Sequence, residues 1–258
     1  MTLIHEQAIV DPKAELAEDV QVGPWTYIGP GVEIGAGSVI GPHAVIRGPT
    51  RLGKNTRIFQ FASVGEDCQD RKYKGEPTRL EMGDNNVIRE CSTIHRGTMQ
   101  DRGVTQIGNN NLFMAYTHVA HDCIIGNDCI LSNNGTLAGH CVVGDGVIIS
   151  GMAGAHQFCR LGSYCMLAMG SMVDKDVPAY VMVRGDYAEA RGMNVEGMRR
   201  RGYSAETIKI LKDAYRVVYR QKNTLEQAIQ ILDAQQPHIP ELALFVESLK
   251  TSTRGIIR

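Results

Sequence analysis

The 258-residue chain has no apolar run approaching the 18 or so residues that would span a bilayer. Its opening, MTLIHEQAIV, holds neither a basic stretch nor an apolar core, so a secretory signal is not expected and a cytoplasmic location is the default. No CxxC pair occurs among the seven cysteines, which argues against a zinc ribbon or a thiol redox motif. Disulfides are unexpected in a reducing compartment. The chain also lacks a bulk charge, with a net of −1, but the balance is uneven. Residues 1–189 carry 15 Lys+Arg against 21 Asp+Glu, whereas residues 190–258 carry 12 against 7. That basic tail suits an acidic partner as well as it suits plain solvated helix faces. Nucleic acid is not expected, because the tail has few aromatics and no recognisable reading motif.

What the chain does have is a period of six. From Ile4 an apolar residue recurs at Val10, Leu16, Val22, Ile28, Ile34, Ile40, Ile46, Leu52, Ile58 and Val64. After a gap it resumes at Met82, Ile88 and Ile94, and after an offset it runs from Ile107 to Val173. Of these 26 positions, 23 are Ile, Leu or Val, and eleven are followed directly by Gly. Neither a helix nor a plain alternating strand has this period. It suits short strands joined by tight turns, with the glycines supplying positive-φ corners. Such hexads build a parallel β-helix, three to a triangular coil, so 26 hexads predict about nine coils stacked about 4.8 Å apart.

The fifth hexad position must be small to fit beside the stacked aliphatics. It reads Thr26, Val32, Ser38, Ala44, Thr50, Thr56 and Ala62, and it takes six of the seven cysteines, Cys68, Cys123, Cys129, Cys141, Cys159 and Cys165. These are read as packing, with no chemical role. Two insertions, near 68–79 and 99–106, are expected to project as loops, and Asp70, Arg71, Lys72 and Lys74 of the first suit an anionic ligand. The repeat ends near Val177–Pro178. Ser204 is a candidate N-cap, Thr224 with Gln227 a capping box, and Pro240 a first-turn proline. The expected division is therefore a β-helix over 1–187 and an α-helical domain over 188–258.

Candidate chemistry centres on THVAHD, Thr117 to Asp122, where a carboxylate follows the second of two histidines. Residues 18 apart stack, so His140 lies one layer above His121 and one place shifted, with His156 about a layer further. Five of the eight histidines fall between residues 95 and 156, which suits general-base work, phosphate contacts or a metal. Trimeric β-helix enzymes of the γ-carbonic anhydrase kind bind zinc through three histidines. Their pair is more widely spaced than His118 and His121, so no metal is expected.

The strings QFASVGE, YKGEPTR, STIHRGT, AHDC, NNGTLAGH, HQFC, DVPAYV, NVEGMRRRG and STRGIIR closely resemble the UDP-N-acetylglucosamine acyltransferase family, the first enzyme of lipid A synthesis. The resemblance spans essentially the whole chain. It implies a left-handed β-helix and a homotrimer with active sites between adjacent subunits. It also implies transfer of a 3-hydroxyacyl chain from acyl carrier protein to the sugar 3-hydroxyl of UDP-N-acetylglucosamine. No resident cofactor is implied, since the donor chain rides on the carrier's phosphopantetheine. By the resemblance, His121 is the general base, Asp122 its orienting carboxylate, and the Gly139 N–H an oxyanion donor. Asp70, Lys72, His118, His140 and Gln157 would hold the sugar or its phosphates. His156, Asn194, Glu196, Arg200 and Arg201 would line the nucleotide region. Lys209, Lys212, Arg216 and Arg220 are docking points for the acidic carrier.

Where some members of that family carry Gly at the position that measures acyl length, this chain has Met169. A shorter chain, about ten carbons, is therefore expected. Two alternatives remain. The sister UDP-3-O-acylglucosamine N-acyltransferase carries an extra domain before its repeats, whereas here they begin at Ile4. A non-catalytic structural β-helix would need neither clustered histidines nor an arginine-rich cap.

Overall fold

In the computed structural model, which describes residues 3–234 and 239–258, nearly every aliphatic hexad residue closes a strand of two or three residues. The strands stack into three parallel sheets, one for each face of a left-handed prism. Face one runs from Leu3–Ile4 through Ile148–Ile149 to Met166–Leu167; face two from Ile9–Val10 through His118–Val119 to Met172–Val173; face three from Glu15–Leu16 to Arg160–Leu161. The 26 short strands make close to nine coils, as the period predicts.

The hexad pattern is the core. Ile28, Ile46, Val64, Ile88, Ile94, Phe113, Val119, Leu131, Leu137 and Ile149 are completely buried. Each such side chain contributes about 1.5–3 kcal/mol relative to exposure. The fifth-position residues are buried too, including all six cysteines. Burial pushes the Cys129 and Cys159 thiols up to about 12, so they pack as neutral groups.

Register shows what the insertions cost. Val22 pairs with Ile40, 18 residues on, but Leu52 pairs with Met82, 30 on, an excess of twelve that matches residues 68–79. Met82 pairs with Ile107, 25 on, an excess of seven. The second insertion is therefore one residue shorter than the eight expected over 99–106. Val104, Thr105 and Gln106 already lie in the strand Val104–Ile107, paired with Arg79, Leu80 and Glu81.

Apart from Gly65, φ +78°, the glycines after the aliphatic residues do not make the corners. Gly23, Gly35, Gly41, Gly126 and Gly144 all lie outside the positive-φ region. They are there because the next coil leaves no room for a side chain. A Cβ on Gly35 would sit 2.7 Å from the carbonyl carbon of Gly53, and one on Gly23 would sit 2.8 Å from Pro42 N. The positive-φ corner falls two residues later, and non-glycine side chains occupy most of it: Trp25, His43, Phe61, Asn85, Asn110, Asp122 and His140. Like side chains stack there, as in Trp25–His43–Phe61, with centroid spacings of 4.8 and 5.2 Å, offsetting the cost of the backbone.

The prism closes by reversal. Val181–Arg184 continues face one in parallel, and Glu189–Met193 then pairs antiparallel to it. The sheet thus extends to Met193, six residues past the expected boundary, and α1 (Val195–Arg200) follows at once. Helices α2 (Ala205–Tyr219), α3 (Leu225–Asp233) and α4 (Pro240–Lys250) start where the caps predict, with Ser204 bonded to Thr207, a complete Thr224–Gln227 box, and Pro240 in the first turn. Asp176 ties this domain back to the prism: its carboxylate accepts from the Arg160, Thr253 and Arg254 amides and from Ser252 Oγ.

Gly35→Ala is predicted to cost about 1–3 kcal/mol, because the added methyl forces two coils apart. Urea unfolding measures it, and an unchanged midpoint would refute the steric account of these glycines.

Candidate active site

THVAHD turns the corner between faces two and three. His118 and Val119 form the face-two strand, and the backbone bends at Asp122, φ +60°. Both insertions leave the ladder at this same corner, following Val64 and Ile94. Among the described residues, this corner is consequently the place where both long insertions wall the prism.

His121 Nδ1 lies 2.8 Å from Asp122 Oδ2. The carboxylate is buried; besides His140 Nδ1, 3.9 Å from Oδ2, its contacts come from Thr98 at the root of the second insertion. The Thr98 amide donates to Oδ1 at 2.8 Å and the Thr98 hydroxyl to Oδ2 at 2.6 Å. The Asp122 amide donates to Thr105 Oγ1 at 2.9 Å. Burial pushes the Asp122 carboxyl up, but hydrogen bonds from His121 and Thr98 outweigh that and leave it below its ordinary value. Asp122 is thus an anion at neutral pH. With the ring donating Nδ1–H to it, His121 Nε2 is left free to accept a proton.

His140, one coil up, stands edge-on to His121 with ring centroids 5.0 Å apart, and its other face stacks on Phe158 at 4.4 Å. Its Nδ1 lies 2.9 Å from Asp101 Oδ2. Among the described residues, His121, Asp122 and His140 form the one cluster compact enough for a metal, with ligand atoms within 4.8 Å of one another. Asp122 is already engaged on both oxygens, which favours the base–carboxylate arrangement. Gly139 lies against the His121 ring: a Cβ there would sit 2.7 Å from Nε2. Among the described residues the Gly139 amide donates to no protein acceptor. At this hexad position some coils place proline, as at Pro24, Pro30 and Pro42, or cap the amide with a side chain of the next coil, as Asp84 does for Lys54; others, among them Gln60, Asn133 and Gly139, do neither, and of these Gly139 lies against the His121 ring.

His118 lies one strand away, its Nδ1 2.7 Å from Thr93 Oγ1 and its ring 5.1 Å from His95. Burial, then the neighbouring His121, lowers its proton affinity. His156 and Gln157 are exposed on the coil above His140. In the first insertion Lys72 is exposed and its amide donates to Asp70. Buried Arg96 holds that loop, donating to Asp67, Tyr73 and the Gly48 carbonyl.

The remaining expected site residues are elsewhere. Asn194 caps α1, and Arg201 stacks over Tyr164 at 4.8 Å and donates to Gly146 O, at the corner between faces three and one. Arg200 pairs with Glu196 at 3.2 Å on the outside of α1. Met169, 75% exposed, sits at the third corner, between faces one and two. One chain therefore brings His121, Asp122, Gly139 and His140 together, with His156 on the next coil of the same corner, and keeps Asn194, Glu196, Arg200, Arg201 and Met169 apart from them. Thr98, Thr105, Asp101, Arg96 and Phe158 were not singled out from the sequence. Thr98 was findable, since it precedes Asp122 by 24 residues, one short of the lengthened coil.

The family described as UDP N-acetylglucosamine O-acyltransferase, domain 2, matches residues 176–257, and the bacterial transferase hexapeptide family matches residues 13–48 and 105–139. The acyl-[acyl-carrier-protein]–UDP-N-acetylglucosamine O-acyltransferase of Stutzerimonas stutzeri is 58% identical over 258 residues, all of both chains. Its namesake from Pseudomonas aeruginosa is 59% identical over the same span. The solved structure of LpxA from Acinetobacter baumannii is 52% identical, covers 99% of this chain and 100% of its own, and superposes with a TM-score of 0.97.

His95, 4% exposed, is held at about 4 by burial and by the adjacent His118. Unfolded, it would titrate near 6.5. The unfolded chain therefore binds a proton that the folded chain refuses, and stability should fall by about 2–3 kcal/mol as pH drops from 6.5 to 4. Denaturation across that range in the native chain and in His95→Gln tests this. An equal slope in both would remove His95 as the cause.

Proposed function

The chain belongs to the acyl-carrier-protein-dependent UDP-N-acetylglucosamine O-acyltransferase family, and on that premise we propose that it moves an (R)-3-hydroxyacyl chain onto the 3-hydroxyl of UDP-N-acetylglucosamine, the first step of lipid A biosynthesis. It is an acyltransferase of the left-handed β-helix kind. The observation that carries the mechanism is the 2.8 Å His121–Asp122 contact beside the unpartnered Gly139 amide.

His121 Nε2 takes the proton of the sugar hydroxyl as its oxygen bonds to the thioester carbon. Asp122 stabilises the imidazolium that results. The carbonyl oxygen becomes an oxyanion and accepts from the Gly139 amide. Collapse breaks the C–S bond, and the imidazolium returns its proton to the departing thiol of the carrier's phosphopantetheine. Glycine at 139 keeps the space next to Nε2 open for the reacting atoms. No acyl-enzyme forms, in keeping with the burial of the six fifth-position cysteines.

His118, His140, Gln157, Asp70 and Lys72 hold the sugar and its phosphates, and His156, Asn194, Glu196, Arg200 and Arg201 the nucleotide. Asn194 and Arg201 stand at a different corner from His121, with Glu196 and Arg200 on the same short helix, while His156 shares the His121 corner; such a division is what an active site shared between adjacent subunits of a homotrimer requires. Lys209, Lys212 and Arg216, beside Arg199, line one basic hollow on α2 and suit the acidic carrier protein. Met169 sets a preference near ten carbons. Among the described residues no helix is long and apolar enough to cross a membrane, and the enzyme works in the cytoplasm on a nucleotide sugar.

His121→Ala should lower kcat/KM by about 10²–10⁴ with the oligomer intact. Residual turnover above a tenth of wild type would remove it as the base. Met169→Gly should lengthen the preferred acyl chain in a direct acylation assay; an unchanged profile would end its role as the measure.

A further inference from the structure

The Asp122 side chain is fully buried and has no permanent counter-charge. Among the described residues it pairs with His121 Nδ1 at 2.8 Å and His140 Nδ1 at 3.9 Å, and with no lysine or arginine. Neutral imidazoles and the Thr98 donors satisfy its hydrogen bonds but leave its charge uncompensated, which is costly away from water. Asp101 adds a second carboxylate, its Oδ2 2.9 Å from His140 Nδ1. The corner thus gathers two nitrogen donors and two carboxylates, and the histidine side chains are only 15% and 14% exposed. Donors around a tetrahedral zinc ion stand about 3.4 Å apart. The separations of 2.8, 2.9 and 3.9 Å straddle that figure, and His121, Asp122 and His140 offer ligand atoms all within 4.8 Å of one another.

We propose that this corner is also a binding site for a divalent cation of the zinc class, which inhibits the enzyme by reversing the tautomer of His121. The site itself rests on geometry; the inhibition rests on the acyltransferase function proposed above. Without the cation, His121 donates Nδ1–H to Asp122 and keeps its lone pair at Nε2. A cation seated against Asp122 Oδ2 takes the Nδ1 lone pairs of His121 and His140, with Asp101 beside them as a fourth donor. The displaced His121 proton passes through water to Nε2 of the same ring, so that ring neither gains nor loses a proton. Nε2–H then faces the sugar hydroxyl and has no lone pair to accept its proton. The base is lost while the substrate groups stay in place. Thr98 holds Asp122 for the cation as it does for the base, since a ligating carboxylate needs the same support. Imidazole donors favour zinc and cobalt over magnesium, which takes oxygen ligands and keeps its waters.

The test follows cobalt(II) absorption and zinc inhibition in chelator-treated protein. Wild type should develop the visible absorption of a nitrogen- and oxygen-bound cobalt centre, saturating at a single ion per chain. Saturating zinc should lower its rate by about 10²–10⁴, the loss expected of a missing base, and added chelator should restore it. Magnesium should change neither. His140→Asn and Asp122→Asn are suitable variants, because asparagine already occupies such left-handed corners at Asn85, Asn110 and Asn134. Each should weaken cobalt binding at least about 10–100-fold, the usual cost of disturbing even a ligand's support. Zinc inhibition of His140→Asn, taken against its own metal-free rate, should weaken in step. Unchanged cobalt absorption in both variants, or zinc inhibition that survives in His140→Asn, would overturn the proposal. A wild-type rate that rises with zinc would overturn the tautomer mechanism. If chelated wild type transfers no chain while the cobalt centre still forms, the cation site stands and it is the acyltransferase function that fails.

Discussion

The whole prism depends on one constraint: each coil must exchange backbone hydrogen bonds with the coils above and below it at the spacing of a β-ladder. That spacing decides the side chains. It admits only small groups at the fifth hexad position, excludes a Cβ at Gly35 or Gly23, and forces the corner residue into left-handed backbone. The aliphatic period follows from the same demand, because only a residue pointing straight inward at each turn can fill a triangular core.

The corner residue links this constraint to chemistry. Asp122 and His140 occupy successive left-handed corners, so their side chains emerge at the same place on adjacent coils. His121 precedes Asp122 and is brought within 2.8 Å of it without any loop having to fold over. The geometry of a base and its carboxylate is thus produced by repetition. What the repeat does not supply is the second set of bonds on Asp122, and these come from Thr98 and Thr105 at the root of an insertion.

The fold was legible because a period of six has few structural solutions, and the helix starts at Ser204, Thr224 and Pro240 were legible from local capping chemistry. The corner glycines were misread, since steric exclusion by another coil leaves the same mark in a sequence as a positive-φ turn. His121 and Asp122 were visible as neighbours in the chain. Asp101 was not, because an acid in a loop of unknown path gives no sign that it ends 2.9 Å from His140. The roles of Asn194 and Arg201 came from resemblance alone: nothing in their spacing separates a nucleotide contact from a helix cap and a stacked surface arginine.

Register also sets an order of assembly. Partners in the prism lie between 16 and 30 residues apart, so closing each coil costs little loop entropy and depends only on its neighbours. Thr98 through His140 falls within a few such coils, and the base can be in place while the C-terminal segment is still unfolded. The Arg201 corner needs Tyr164, Gly146 and α1 together, and Asp176 must capture residues 252–254 to seat the helices. Synthesis from the N-terminus therefore completes the catalytic corner first and the nucleotide corner last, so a nascent chain acquires its reactive group before the residues proposed to recognise the nucleotide.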